Sequence, residues 1–171
     1  MILSLPEAVL RPWSPADLGS LVRYANNFKI AENMRDGFPH PYTDEHGRAW
    51  IELAVQDTSD IFLAIEIDGY AAGGLGITMK EDVYRLNTEI AYWLAEDYWN
   101  KGIMTQIIRA VTSWIFQNLQ VVRIYATVFE KNKASMRVLE KSGYILEAIH
   151  RKAVFKNEVV MDEYVYASYK Q

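Results

Sequence analysis

Apolar residues recur in two different periods along the chain, and the change between them predicts the order of helices and strands. In the first sixty residues, after a short strand at Val9–Trp13, apolar positions recur at helical spacing in two segments. The first segment follows Ser14, a residue type that commonly caps helices, and the second begins at about Thr43, with Thr43 and His46 near its start. Between them, residues 34–43 (MRDGFPHPYT) contain one glycine and two prolines, so we predict a loop there.

From Ile61 onward the pattern becomes extended, and Asp68-Gly69 between two apolar runs is a two-residue hairpin signal. The predicted elements are strands 61–67, 70–79 and 86–94, a helix 102–119, a strand 121–129, a helix 133–142 and two final strands around Lys156-Asn157. We therefore predict one domain over residues 1–171, of α/β (mixed α+β) class. Its central sheet is expected to be mixed but mostly antiparallel, with six to seven strands and about four flanking helices.

Composition narrows the chemistry that this domain can carry. The 171 residues include 22 acidic and 18 basic side chains, for a formal net charge of −4, which argues against nucleic-acid binding. Cysteine is absent, and this excludes disulfides, thiolate metal sites and a cysteine nucleophile. The three histidines lack a ligand-like spacing, so no metal is expected. Without an export signal or an apolar run long enough to span a membrane, we expect a cytoplasmic protein.

The first candidate for chemistry is the junction AYWLAEDYWNKGIMT (91–105), where a predicted strand ends and a helix begins. A helix start presents unpaired backbone N–H groups and the positive end of the helix dipole, which suits a phosphate. Gly102 permits close approach of the backbone, while Lys101 adds a charge and Thr105 a hydroxyl. The alternative is an exposed helix start whose glycine only makes the turn.

The second candidate is the segment NKASMRVLEKSGY (132–144). Asn132 can cap this helix, and Gly143 is suited to end it. By these local rules alone, Asn132 and Ser135 are best explained as capping residues.

In this order and separation, the two segments resemble the GNAT acetyltransferase superfamily, and most closely its RimJ/RimL-type branch. The FPHPYT loop and the final EAIHRKAVFKNEVVMDEYVYA segment are also similar to that branch. The resemblance implies that EIAYWL pairs with the pantetheine arm of acetyl-CoA, that WNKGIMT wraps its pyrophosphate, and that Asn132 contacts the cofactor. The cofactor-binding residues implied are Tyr92, Trp93, Leu94, Asn100, Lys101, Gly102, Ile103, Met104, Thr105 and Asn132.

Acetyl transfer requires removal of a proton from the amine and protonation of the departing thiolate. The resemblance places Ser135 near the thioester, and we predict that it is the proton donor. Glu89 shares a predicted strand face with Trp93 and is the candidate base, with a solvated strand residue as an equal alternative. The candidate acceptor-binding residues are Arg35, Phe38, Tyr42 and His150, and each has a structural alternative as a solvated or core residue.

We therefore predict an acetyl-CoA-dependent N-acetyltransferase that acts on a primary amine by direct attack in a ternary complex. A protein N-terminal amine of the ribosomal-protein-alanine kind is one acceptor; a small-molecule amine (amino acid, polyamine or amino sugar) is the alternative. A catalytically weak CoA-binding sensor is a further alternative, because Met104 stands where the family's loop has glycine or alanine. We expect a monomer or homodimer that binds neither nucleic acid nor membrane.

Overall fold

Eight strands and five α-helices form the part of the chain that the computed structural model describes, residues 2–57 and 59–171. The strands are β1 Leu3–Ser4, β2 Val9–Pro12, β3 Ile61–Ile67, β4 Tyr70–Met79, β5 Asn87–Leu94, β6 Arg123–Phe129, β7 Ile145–Lys156 and β8 Val159–Tyr169. The helices are α1 Leu18–Ala25, α2 Phe28–Ala31, α3 Asp44–Gln56, α4 Ile103–Asn118 and α5 Lys133–Lys141.

The strand order is β1-β2-β3-β4-β5-β6-β8-β7, and among the strand pairs whose register the structure gives, only β5–β6 is parallel. The predicted mixed, mostly antiparallel sheet is therefore confirmed. The predicted numbers, six to seven strands and about four helices, were slightly low. The element β1 has two residues and α2 has four, which is too short for either period to appear in the sequence.

The described residues contain no helix that is both long enough and apolar enough to cross a membrane. The chain forms two compact units. The first comprises the chain up to Ile77 together with Tyr92–Ile103, and the second comprises Thr78–Ala91 and Met104–Gln171.

Aromatic rings fill the core of the first unit. Trp13 and Trp93 are buried, and Trp13 meets Trp50 edge-on with ring centroids 6.5 Å apart. The ring of Phe38 lies 5.7 Å from that of Trp93 and 5.1 Å from that of Tyr42. Such contacts between aromatic rings stabilise a core beyond the area that they bury, so this cluster fixes the position of the end of β5.

Trp93 fits into this core because β4 has a glycine beside it. A Cβ atom at Gly74 would lie 2.6 Å from Nε1 of Trp93 and 3.3 Å from Cζ2 of Trp13. Since real Cβ atoms do not approach other atoms that closely, any side chain at this position would displace one of the two indoles.

In the second unit, helix α4 and strand β6 divide apolar from polar residues. The α4 side chains of Ile107, Ile108 and Ile115 are completely buried. Along β6, buried residues alternate with half-buried ones, and the half-buried positions include Arg123 and Tyr125. One face of β6 therefore serves the core, and the other presents polar and aromatic groups to solvent.

Candidate functional site

The segment between β5 and α4 passes twice through the left-handed backbone region. Asn100 has φ 61° and Gly102 has φ 80°. A Cβ atom at Gly102 would meet no atom within 4 Å, so the glycine is required by the backbone conformation and not by crowding. The chain then enters α4 at Ile103, and the start of this 16-residue helix carries N–H groups and a positive dipole end.

Side chains hold this loop at its start. Nε1 of Trp99 donates a hydrogen bond to the carbonyl oxygen of Leu94 at 2.7 Å, which ties the loop to the end of β5. Lys101 is exposed, and its Nζ lies 5.2 Å from the ring centroid of Tyr98. Met104 is only 8% exposed, so this large side chain packs inside the protein and does not project into solvent.

The predicted acceptor-side aromatics lie together in the first unit, where Phe38 contacts both Tyr42 and Trp93. Tyr42 is 5% exposed, and burial raises its pKa to about 12, so its ring belongs to the core more than to a surface groove. Arg35 is exposed, and its carbonyl accepts a hydrogen bond from the backbone N–H of Phe38 at 2.9 Å.

The start of α5 is capped by a side chain. Oδ1 of Asn132 accepts a hydrogen bond from the backbone N–H of Ser135 at 3.1 Å. Asn132 therefore caps this helix as predicted from local rules, and Ser135 occupies its first turn, half-buried.

Glu89 lies in the second unit within a small polar cluster. Nζ of Lys80 is 2.9 Å from Oε2 of Glu89, and the Tyr125 hydroxyl donates to the same oxygen at 3.4 Å. The side chain of Glu89 is only 12% exposed, so Glu89 is an ion-paired residue and not a solvated one. Tyr125 reaches it because β5 and β6 pair in parallel with Glu89 opposite Tyr125.

The surroundings of Lys80 favour its charged form. Burial lowers the pKa of Lys80, but hydrogen bonds and attraction to Glu89 and Tyr125 raise it more, so the net direction is upward. Sequence reasoning missed both Lys80 and Tyr125. Lys80 lies only nine positions before Glu89, on the segment that joins β4 to β5, so the predicted strands could have suggested this contact. The contact with Tyr125 on β6 depends on a strand register that the sequence does not reveal.

A groove of about 590 Å³ lies next to this cluster on the second unit, lined in part by Lys80, Tyr125 and His150. Nδ1 of His150 lies 3.2 Å from a carboxylate oxygen of Glu163, so the structure gives this histidine an acidic partner.

Another part of the groove wall is formed by Arg123 and Glu147. The Arg123 guanidinium makes two hydrogen bonds to the Glu147 carboxylate and, against the opposing effect of burial, holds the pKa of Glu147 at about 2. Both side chains are therefore charged at neutral pH, and they give the groove one fixed ion pair.

Comparison with known proteins identifies the family. A family model for the acetyltransferase (GNAT) domain matches residues 8–145. The chain is 45% identical over 78 residues to the "Probable N-acetyltransferase YjcK" of Bacillus subtilis (strain 168), covering 46% of this chain and 43% of that protein. It is 32% identical over 95 residues to the ribosomal-protein-serine acetyltransferase of Escherichia coli (strain K12), covering 54% of this chain and 53% of that protein. The chain thus matches about half the length of each of these relatives.

Among solved structures, the fold is similar to that of RimL, a ribosomal L7/L12 alpha-N-protein acetyltransferase in complex with coenzyme A. The TM-score is 0.88 at 20% identity, with 99% of this chain and 98% of that chain covered. The structural similarity supports the fold, and the family model spans most of the chain. The protein therefore belongs to the GNAT acetyltransferase family, as the sequence motifs indicated, and is an N-acetyltransferase.

Proposed function

We propose that this enzyme transfers the acetyl group of acetyl-CoA to a primary amine by direct attack in a ternary complex, with a protein N-terminus as the acceptor. The observation that carries the proposal is the loop before α4, where two left-handed residues, Asn100 and Gly102, lead straight into a long helix. This arrangement offers backbone N–H groups to an anion, and coenzyme A carries a diphosphate.

The residues around this helix start fit the cofactor. The backbone N–H groups of Ile103, Met104 and Thr105 would bind the diphosphate, and the exposed ammonium of Lys101 would add charge. Because the Met104 side chain is buried, it does not project into solvent where the diphosphate would approach the start of α4. This supports cofactor binding, which an active enzyme and a CoA-binding sensor share.

Two side chains of the second unit would handle the protons. When bound, acetyl-CoA supplies an acetyl thioester, and the reaction replaces its C–S bond with an amide C–N bond. The Glu89 carboxylate would accept the proton that the amine loses, and the Ser135 hydroxyl would donate one to the departing sulfur. The chain has no cysteine to carry the acetyl group, which supports direct transfer.

A protein N-terminus is favoured as acceptor by the names of two similar proteins. One relative is a ribosomal-protein-serine acetyltransferase, and the fold is similar to that of an alpha-N-protein acetyltransferase. The acceptor is thus proposed by analogy with these two proteins.

The test is thiol release from acetyl-CoA with a panel of amines. The panel contains peptides with free serine or alanine N-termini, the same peptides blocked at the N-terminus, free amino acids, spermidine and glucosamine. We expect turnover with the free peptides and none with the blocked ones. If a small amine is turned over faster than the peptides, a small amine is the acceptor and the protein N-terminus is not. If no amine releases thiol although acetyl-CoA binds in a thermal-shift assay, the sensor alternative is favoured.

A further inference from the structure

Lys80 follows β4 directly and forms an ion pair that is more enclosed than is usual at a protein surface. Its Nζ lies 2.9 Å from Oε2 of Glu89, and the two side chains are 28% and 12% exposed. In the same unit, Arg151 pairs with Asp162 at 2.6 Å, but the Arg151 side chain is 73% exposed. Charges that are shielded from water influence each other more strongly, so Lys80 is expected to affect the ionisation of Glu89 more than Arg151 affects that of Asp162.

Two of the groups that face Glu89 come from the residue just after β4 and from strand β6. Lys80 approaches from the end of β4, and the Tyr125 hydroxyl donates from β6 at 3.4 Å. The Tyr125 ring in turn lies 5.5 Å from Nζ of Lys80 and 4.5 Å from Cζ of Arg123. One carboxylate oxygen thus receives both a cation and a hydroxyl donor, and a second cation lies behind the tyrosine. This arrangement stabilises the ionised carboxylate and restricts its orientation.

We propose that Lys80 is a positioning residue for acetyl transfer, which keeps Glu89 ionised and oriented so that it can accept the amine proton in mildly acidic conditions. The inference rests on the proposed function, in which Glu89 is the base. In this proposal Lys80 contacts neither the acetyl group nor the amine, and it acts through the Glu89 carboxylate.

The charge on Lys80 determines the direction in which the protonation of Glu89 should change when Lys80 is replaced. A positive charge within hydrogen-bonding distance favours the charged form of a carboxylate, so removing it lets the carboxylate take up its proton at higher pH. The upward pKa of Lys80 reflects the same attraction from the other partner. The acid limb of the rate profile should therefore move to higher pH by about one unit in Lys80→Met and stay in place in Lys80→Arg.

Two readouts test the proposal on the whole 171-residue chain. The first is the titration of the Glu89 carboxyl, followed by carbon-13 NMR without substrate. The second is kcat/KM against pH with one fixed peptide, whose own amine titrates identically in every variant. The variants are Lys80→Met, Lys80→Arg and, as a control for losing one positive charge in the same unit, Arg151→Met.

The proposal requires Lys80→Met to shift both readouts upward by a similar amount, with Lys80→Arg and Arg151→Met close to the wild type. If Glu89 titrates unchanged in Lys80→Met, the proposal is overturned while acetyl transfer itself stands. If Glu89 shifts but the acid limb does not, Glu89 is not the base, and both its proposed role and that of Lys80 are overturned. A loss of thermal stability in Lys80→Met without either shift would reduce Lys80 to a structural ion pair.

Discussion

Two helices of this enzyme begin next to predicted cofactor-binding residues, but they begin in different ways. Helix α5 is capped by its own chain, because Oδ1 of Asn132 accepts the backbone N–H of Ser135. Helix α4 follows a loop with left-handed residues at Asn100 and Gly102. In α5 a side chain accepts a hydrogen bond from a helix N–H group, whereas α4 is preceded by residues held in the left-handed backbone region.

The difference separates two roles that a helix start can have. A capped start is stable by itself and gains less from an external anion, because one of its donors already has a partner. A helix start preceded by residues in the left-handed region requires residue types that tolerate a positive φ. The conformational strain of such residues is usually retained where the backbone must contact a ligand. We therefore expect the start of α4 to bind the diphosphate of coenzyme A, and the start of α5 to position Ser135.

The largest effect is expected at Gly102. Replacing it with valine places a β-branched side chain at φ 80°, a conformation that costs about 1–2 kcal/mol and that the loop can avoid only by changing shape. We expect the affinity for coenzyme A to fall at least tenfold, measured by calorimetry. The control is Gly19→Val in α1, where a Cβ atom also meets nothing within 4 Å but φ is not left-handed. Equal affinities in both variants would contradict the role of the loop.

The next effect concerns turnover and not binding. Ser135→Ala keeps the backbone N–H that Asn132 caps, but it removes the hydroxyl proposed to protonate the departing sulfur. We expect kcat to fall about tenfold while the affinity for coenzyme A stays within twofold, since coenzyme A is a good leaving group and needs only modest assistance. Ser135→Thr should restore part of the rate. An unchanged kcat in the alanine variant would remove Ser135 from the mechanism.

A smaller effect is expected at the cap of α5. Asn132→Ala should lower the free energy of unfolding by about 1 kcal/mol, because the N–H group of Ser135 loses its acceptor. Asn132→Asp supplies another acceptor at the same place and should retain the stability. Chemical denaturation of the three proteins measures both changes. Equal stability of the alanine variant and the wild type would show that the cap contributes little.

The smallest effect belongs to Lys101. Its ammonium is exposed and would act on the diphosphate through screened attraction, so Lys101→Ala should weaken coenzyme A binding only about two- to threefold. That difference should disappear at high salt, which distinguishes it from the salt-independent loss expected for Gly102→Val. A loss in Lys101→Ala that persists at high salt would point to a direct structural contact.

Local chemistry predicted much of this architecture. The predicted caps at Ser14 and Asn132 are present, with Ser14 on the 3-10 turn Pro15–Asp17 that leads into α1. The Asp68-Gly69 hairpin turn is present as well, because each of these features depends on residues a few positions apart. The short element α2 was missed because a single helical turn leaves no periodic pattern.

The surroundings of Glu89 could not be predicted in the same way. Its contact with Tyr125 joins residues 36 positions apart and depends on the register of β5 against β6. Register follows from the packing of whole strands, so local patterns in the sequence do not reveal it. The same reasoning applies to Gly74, whose importance becomes visible only when Trp13 and Trp93 are seen beside it.

The most direct test of the central claim is to follow backbone amide signals of nitrogen-15-labelled protein during titration with coenzyme A and, separately, with pantetheine, which lacks the diphosphate. The account predicts that coenzyme A gives its largest shifts at the amides of residues 101–105, and that pantetheine leaves those amides nearly unchanged. Shifts concentrated at the start of α5, or equal shifts with both ligands at residues 101–105, would contradict it.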